Sequence, residues 1–531
     1  MKPRGRSIFF LPLIVVFSTL TGGLVGPGLT GVSAASPQDQ DDTQSSVRAF
    51  ARLYAVVESN FAESLDPDKA IYNGAIPGML RTLDPHSSFF DPHYFQLLRE
   101  EQKGHYYGVG MRVGQRNNKT IVVEVFAGTP AYKSGLRPGD VIIQVAGKPT
   151  DGMTTLEVAD LLKGPRGTLV NVHVMRQGKE DPLVFDIQRD EISRKSVPDA
   201  YWLRPGVAYI FISQFNETTS REVDENLKAL GEENIKGLVL DLRGNPGGLL
   251  NEGVAVADRF LTKGQMIVSH RGRASAEKPY VARRGSNGRD YPIVVLVNRQ
   301  SASAAEIVAG ALQDHDRAWV LGDNTFGKGL VQTVYPLSEN TGLALTTAKY
   351  YTPSGRLIQR DYSSMSFFDY YYRKNTETKN PLDAKMTDGG RTVYGGGGIA
   401  PDEKFSPPRL NRFQIELYRN YAFFNFASKY LGTKDTKIAR GWEPDFALVA
   451  EFRRFLVAEG VSFTDADFAQ NETWVKSQLK REMYASTIGI DEANRTAIES
   501  DPAVEKAVEA LPKARALLET TKKLLAQRSA K

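Results

Sequence analysis

Cysteine is absent from this chain of 531 residues. Disulfides, a thiol nucleophile and a thiolate metal site are therefore excluded. Histidine is scarce: the six present are scattered and form no His-Glu-x-x-His pair. No Gly-x-Ser-x-Gly elbow occurs, which removes the usual serine-hydrolase signature. A dominant charge is also lacking. With Lys2, Arg4 and Arg6 of the leader set aside, 64 basic residues face 62 acidic ones, and nothing argues for nucleic acid. The apolar run from Ile8 to about Leu20 is too short for a good spanning helix and is followed by Gly22, Gly23, Gly26 and Pro27.

That run has instead the form of a secretory signal over residues 1–35: a basic start, a short apolar stretch, and small residues ending Val32-Ser33-Ala34-Ala35. An exported protein of the bacterial periplasm or cell envelope is expected, membrane-associated if the segment is retained. The length calls for roughly three or four domains of ~100–200 residues. Residues 36–46 read as a polar linker. From Val47 to about Glu101 the pattern is helical, with Phe50, Leu53, Tyr54 and Val57 on one face. His86, after the Asp84-Pro85 turn, has no companion ligands and reads as structural.

Residues 104–190 form a unit of short strands. Tyr107-Gly108-Val109-Gly110-Met111 precedes a strand over 120–125; then come Ser134-Gly135-Leu-Arg-Pro-Gly139-Asp140, a helix over 155–162 and a strand over 170–175. The order resembles a circularly permuted bacterial PDZ domain. Its Gly-apolar-Gly-apolar loop (Gly108, Val109, Gly110, Met111) offers N–H groups to a terminal carboxylate, and the adjoining strand edge can pair with an extended peptide. Arg166 is a further candidate contact, to the ligand or to the body of the protein.

From about Val197 to Asp402 strands and helices alternate. Leu238–Leu242 and Pro292–Val297 are continuous apolar runs of the kind covered on both faces, so a layered α/β core with right-handed crossovers is expected. Thr219-Ser-Arg-Glu222 reads as a capping box. The tract 361–398 reads as loop. Residues 408–531 are helical and charged, with Phe413, Leu417, Tyr418, Tyr421 and Phe424 as a core or interface face.

The chemistry gathers in three segments. Ser303, in Asn298-Arg-Gln-Ser-Ala-Ser303-Ala-Ala-Glu306, follows a buried strand and opens a helix, where unpaired N–H groups can meet an oxyanion. The same residues form a capping box, so Ser303 could instead be only a helix cap, and Ser301 could take either role. Lys328 lies in Gly327-Lys328-Gly329. A neutral lysine is a competent base, and burial can lower its pKa by up to ~3–5 units. The segment is a turn leading into Leu330–Val334, whose β-branched residues read as a strand; positions i and i+4 of a strand face one side, which places Gln332 beside Lys328. Gly329, where a P-loop needs Ser or Thr, argues against a nucleotide site. Asp241-Leu-Arg243-Gly-Asn245-Pro-Gly247-Gly248 supplies close backbone approach, and either Gly247 or Gly248 could join the Ala304 N–H as oxyanion donor. Ser477-Gln-Leu-Lys480 lacks companion motifs.

Together these motifs resemble the carboxy-terminal processing, or tail-specific, proteases, from about Val47 to Asp402 and including Lys349-Tyr-Tyr-Thr-Pro-Ser-Gly-Arg. The resemblance implies Ser303 as nucleophile, Lys328 as base and Gln332 as the lysine-positioning residue, with Ala304 and the Gly247/Gly248 pair as oxyanion donors. It also implies ligand-linked gating by the PDZ unit. The fold class expected is a multidomain α/β and α+β protein: a helical N-terminal segment (36–103), a PDZ domain (104–190), a protease core (191–405) and a helical C-terminal region (406–531). The expected activity is endoproteolysis of substrates with unstructured C-termini through a Ser-Lys dyad and an acyl-enzyme, with no metal or cofactor required. The rival is a silent peptide-binding scaffold. An adaptor protein and a homo-oligomer formed through the C-terminal region stay open.

Overall fold

The computed structural model describes residues 37–116, 118–364, 366–372, 383–433 and 438–529. The expected signal segment, 1–35, lies outside the described residues. Among those described, no helix is long and apolar enough to cross a membrane. The chain divides into two compact units. One comprises the residues up to Asp91 with Gly272–Ala276 and Gln332–Thr347; the other holds the remainder.

In the first unit, helix Pro37–Asn60 starts inside the stretch read as a linker. Polar composition alone was a poor guide there, because the stretch is continuous with the amphipathic pattern that follows. The Asp84-Pro85 turn is fixed by the Asp84 carboxylate, which accepts the His86 and Ser87 N–H groups at 2.7 and 2.8 Å and the Ser87 hydroxyl at 2.7 Å. This is the side-chain turn that Asp favours. It leads into strand Ser88–Phe90, antiparallel to Gly342–Ala344.

The second unit is built on a six-stranded sheet in the order 199–204, 207–211, 237–241, 293–297, 318–322, 403–404. The first pair is antiparallel and the others are parallel. Strands Gly237–Asp241 and Ile293–Val297 are buried at every residue, as expected of apolar runs covered on two sides. Side chains alternate across the sheet. Leu238, Leu240, Ile293 and Val295 pack with helices Leu250–Asp258 and Ala304–Asp314. Val239, Val294 and Leu296 pack on the opposite side with Val504, Ala507 and Leu511 of the final helix, Pro502–Ser529. The chain after residue 405 therefore supplies one layer of the protease core, and an expected boundary at 405/406 does not end that core.

Residues 111–188 form a separate sheet in the order 111–116, 119–125, 141–145, 169–175, 183–188. Its core holds Val109, Met111, Val122 and Val172, closed by Val158 and Leu162 of helix Thr155–Leu162. That helix has the expected bounds, set by a Thr154/Glu157 capping box. The tract 361–398 is not wholly loop: it carries helix Phe367–Tyr372 and a short antiparallel pair, Ala384–Met386 with Thr392–Tyr394. Helices Arg412–Arg419, Ala422–Thr433, Phe446–Ala458 and Asp465–Thr487 enclose an aromatic core including Phe413, Leu417 and Phe452. Arg116, at the tip of the first PDZ strand, lies over the rings of Tyr421 and Phe424 at 5.5 and 5.4 Å. The aromatic face divides accordingly: Phe413 and Leu417 are core, whereas Tyr421 and Phe424 meet the PDZ sheet.

Candidate active site

Strand Ile293–Val297 ends in a tight turn before helix Ala304–Asp314. Ser303 sits at the junction with φ +54° and ψ −114°. An ordinary N-cap has β-region backbone. Left-handed backbone at a non-glycine residue is held only by surrounding structure and costs of order 1–3 kcal/mol, so more than helix capping is at work here. Ser303 is partly exposed, while Ala304 and the rest of its helix are buried. As the first helical residue, Ala304 has an N–H with no carbonyl one turn earlier to receive it.

Ser301 is distinguished from Ser303 by its partners. Its buried hydroxyl donates to the Leu242 carbonyl at 2.8 Å and accepts the Asn298 N–H at 2.9 Å. It serves to bind the serine turn to the end of strand Gly237–Asp241. The Ala302 N–H strengthens the same junction, donating to the Asn245 carbonyl at 2.9 Å.

The glycine segment approaches the serine from this side. A Cβ on Gly247 would stand 2.6 Å from the Ser303 Cβ, and Gly247 has φ +100°, so both space and conformation require glycine. Its N–H is engaged by the Asn245 side-chain oxygen at 2.8 Å. The neighbouring residue differs. Phe215 donates to the Gly247 carbonyl and accepts from the Leu249 N–H, each at 2.8 Å. In this parallel pairing the N–H of Gly248 is turned away from Phe215.

Lys328 lies off the strand, in the Gly-Lys-Gly segment expected to turn, and the strand begins at Leu330 as expected. The Gly-Lys-Gly segment is clamped by side chains and is not paired in a ladder. Gln332 falls in the other unit, where its amide donates to the His86 carbonyl at 2.5 Å.

All the backbone polar groups of Gly327, Lys328 and Gly329 are engaged. The Gly327 and Lys328 N–H groups go to Glu306, at 2.7 and 2.9 Å, and that of Gly329 to the Gln359 side-chain oxygen at 2.8 Å. The three carbonyls accept, in order, from the Arg360 N–H at 3.1 Å, the Tyr350 hydroxyl, and the Tyr350 N–H at 3.0 Å.

Glu306 joins the two halves. One of its oxygens accepts both the Ser303 N–H at 2.8 Å and the Lys328 N–H at 2.9 Å. The other takes the Thr325 hydroxyl at 2.5 Å and the Gly327 N–H. Burial raises its pKa, and the four donated hydrogen bonds pull in the opposite direction. The backbones of a serine and a lysine are thus tied to a single carboxylate oxygen, in a water-poor setting at a helix N-terminus. Such an arrangement suits acyl transfer.

Family profiles match this architecture: peptidase family S41 over residues 206–363 and a PDZ domain over 121–176. The carboxy-terminal-processing protease of Bartonella bacilliformis is 42% identical over 326 residues, 60% of this chain and 74% of that protein. The chain belongs to the carboxy-terminal-processing proteases. It is a serine-type peptidase with a PDZ domain. Carboxy-terminal processing protease CtpA of Bacillus subtilis is 32% identical over 402 residues, covering 72% of this chain and 84% of the relative. Among solved structures, a photosystem II D1 C-terminal processing protease is 28% identical with a TM-score of 0.35, covering 68% of this chain and 87% of that one.

The other candidate residues are placed as follows. Gly108, Val109, Gly110 and Met111 are all buried beside helix Thr155–Leu162. Gly110 has φ +85°, and a Cβ there would collide with Thr129 at 2.4 Å. Arg166 pairs with Asp190 at 2.7 Å, and Asp190 is the register partner of Gly108. His315, which ends the serine helix, is partly buried and held between Asp388 and the Met266 carbonyl, both at 2.7 Å. Ser477 donates to Trp474 and Lys480 pairs with Glu443, so that Ser-Lys match is occupied structurally.

Sequence reasoning read Glu306 only as a capping partner and gave Tyr350 and Gln359 no role. A signal for Glu306 was available: it is the one charged residue in Ala304-Ala-Glu-Ile-Val-Ala-Gly-Ala-Leu312. A charge inside an apolar helix must have buried donors.

Proposed function

We propose that this family member is an exported endopeptidase that captures unstructured C-terminal tails on its PDZ domain, residues 104–190, and cleaves through an acyl-enzyme on Ser303. The observation that carries the reading is the shared Glu306 oxygen, which ties the Ser303 and Lys328 backbones together. Neutral Lys328 takes the Ser303 Oγ proton as that oxygen attacks the scissile carbonyl. The tetrahedral oxyanion is met by the Ala304 N–H and, with Gly247 engaged by Asn245, the Gly248 N–H. Collapse expels the amine, which receives the proton back from Lys328, and water then releases the acyl group by the same base. Gln332 as the lysine-positioning residue rests on the family resemblance; its Nε2 donates to the His86 carbonyl, and its amide oxygen is the group that would accept from the lysine amine.

The edge strand Met111–Arg116 is unpaired on its outer side within its sheet, which supports β-augmentation by an extended tail. Export rests on the basic and apolar pattern of residues 1–35. The deciding experiment is time-resolved mass spectrometry of an unfolded reporter with an apolar C-terminal tail. Cleavage by the wild type, abolished in Ser303→Ala and Lys328→Ala, is expected; equal cleavage by all three removes the pair from the mechanism.

A further inference from the structure

Tyr350 lies on strand Gly342–Tyr351 and is buried, with 1% of its surface exposed. Its backbone N–H holds the Gly329 carbonyl at 3.0 Å. Its phenol hydroxyl contacts two carbonyls, that of Lys328 and, at 3.1 Å, that of Ser303. These are the carbonyls of the two residues whose N–H groups Glu306 accepts. Burial raises the phenol pKa well above its ordinary value, so the hydroxyl remains a donor across the working pH range.

We propose that the Tyr350 hydroxyl is a positioning residue for the catalytic pair, bracing the Ser303 and Lys328 peptide units from the carbonyl side as Glu306 does from the N–H side. This inference rests on the serine–lysine reading above. A phenol has one proton, so it donates fully to one carbonyl at a time. The Ser303 carbonyl also receives the Glu306 and Ile307 N–H groups at 2.9 and 3.0 Å. The Lys328 carbonyl takes the shorter of the two hydroxyl contacts. Without the hydroxyl, the lysine backbone keeps its N–H anchors at Glu306 and Gln359 but loses the grip on the carbonyl between them, and a small tilt of that peptide unit displaces Nζ at the end of a four-carbon stem. Misplacement by about 1 Å can cost ~100-fold in rate. Substrate capture on residues 104–190 is not affected by this tilt.

The test compares full-length wild type with Tyr350→Phe by following covalent labelling of Ser303 with a fluorophosphonate, in the presence of saturating tail peptide. Tyr350→Phe is expected to label at least tenfold more slowly yet reach the wild-type end-point stoichiometry. In peptide cleavage its kcat should fall by a similar factor, with KM within twofold. Tyr291→Phe, which removes a buried hydroxyl touching neither peptide unit, should match wild type. An unchanged labelling rate, or a reduced end point at unchanged rate, overturns the assignment; the latter marks a purely structural tyrosine. If wild type is not labelled, or if Ser303→Ala labels equally, the serine–lysine reading fails first and takes this inference with it. A ring-fluorinated tyrosine at 350, which keeps hydroxyl and packing but alters donor strength, gives a second reading in folded enzyme. A changed labelling rate there supports the brace and an unchanged one overturns it.

Discussion

The Glu306 carboxylate accepts the Lys328 backbone N–H at 2.9 Å, across 22 residues of sequence. The contact places a helix-borne charge against the loop of Lys328, the proposed base. Four donors converge on the carboxylate, and this satisfies a fully buried charge that would otherwise be costly. The helix that presents the serine and the loop that presents the lysine are therefore one hydrogen-bonded object.

Replacing Glu306 by Gln should disable it. An amide has one acceptor oxygen, so two of the four donors lose their partner and face another donor. Leaving each unmatched costs about 1–3 kcal/mol. A kcat loss of at least ~100-fold, equivalent to ~2.7 kcal/mol, is expected, with tail-peptide binding unchanged by fluorescence anisotropy. A kcat within twofold of wild type would remove Glu306 from the positioning machinery.

Gly247→Ala adds a methyl 2.6 Å from the Ser303 Cβ at a residue with φ +100°. Strain and collision act together, and a stability loss of about 2–4 kcal/mol with loss of turnover is expected. Gly244→Ala is the contrast, because φ is also positive, +71°, but no atom lies within 4 Å of the added methyl. Urea unfolding of the two variants should show the larger loss at Gly247; equal losses would mean that approach to Ser303 is not what excludes a side chain.

Asp199 is buried on the first strand of the core sheet, and burial followed by the nearby Asp491 charge raises its pKa from 3.8 to about 6. The folded state thus binds this proton more tightly than the unfolded state. The resulting stability is present below about pH 4 and is lost as pH rises through about 6. Asp199→Asn should be more stable than wild type at pH 7 by about 2–3 kcal/mol, with the gap closing toward pH 4. A gap independent of pH, measured by urea unfolding, would show that the carboxyl is not titrating in this window.

Leu511 of the final helix is 8% exposed, and its methyls would lie 2.9 and 3.1 Å from a Cβ placed on Gly237. Leu511→Ala should destabilise the protease core by about 2–4 kcal/mol through the lost burial and the cavity left behind. Denaturant unfolding followed by intrinsic fluorescence would report it. A loss below about 0.5 kcal/mol would mean that the C-terminal helix does not close the sheet.

Much of this protein is legible in one dimension. The apolar runs at Leu238–Leu242 and Pro292–Val297 identify the central strands because a strand covered on both faces cannot alternate in polarity. Thr154 and Glu157 mark the PDZ helix start through spacing alone. The choice between Ser301 and Ser303 was not legible, since it depends on the Leu242 carbonyl, 59 residues away. The Gly-Lys-Gly turn before a strand at Leu330 was legible, but not the groups that clamp it, from Glu306, Tyr350, Gln359 and Arg360.

The sequence by itself determined the chemistry available: no cysteine, a serine before a helix, a lysine between glycines, and a PDZ-like unit ahead of both. Those facts follow from residue type and short-range periodicity, which act over a few residues. Tertiary structure alone decided that the Ser301 hydroxyl is bound to the Leu242 carbonyl, that the Gly248 N–H is turned away from Phe215, and that Glu306 and Tyr350 grip the Ser303 and Lys328 peptide units. It also decided that the last helix belongs to the protease core. Apart from the local Glu306–Ser303 contact, these rest on hydrogen bonds or packing between groups tens to hundreds of residues apart, where only the folded chain sets the distance.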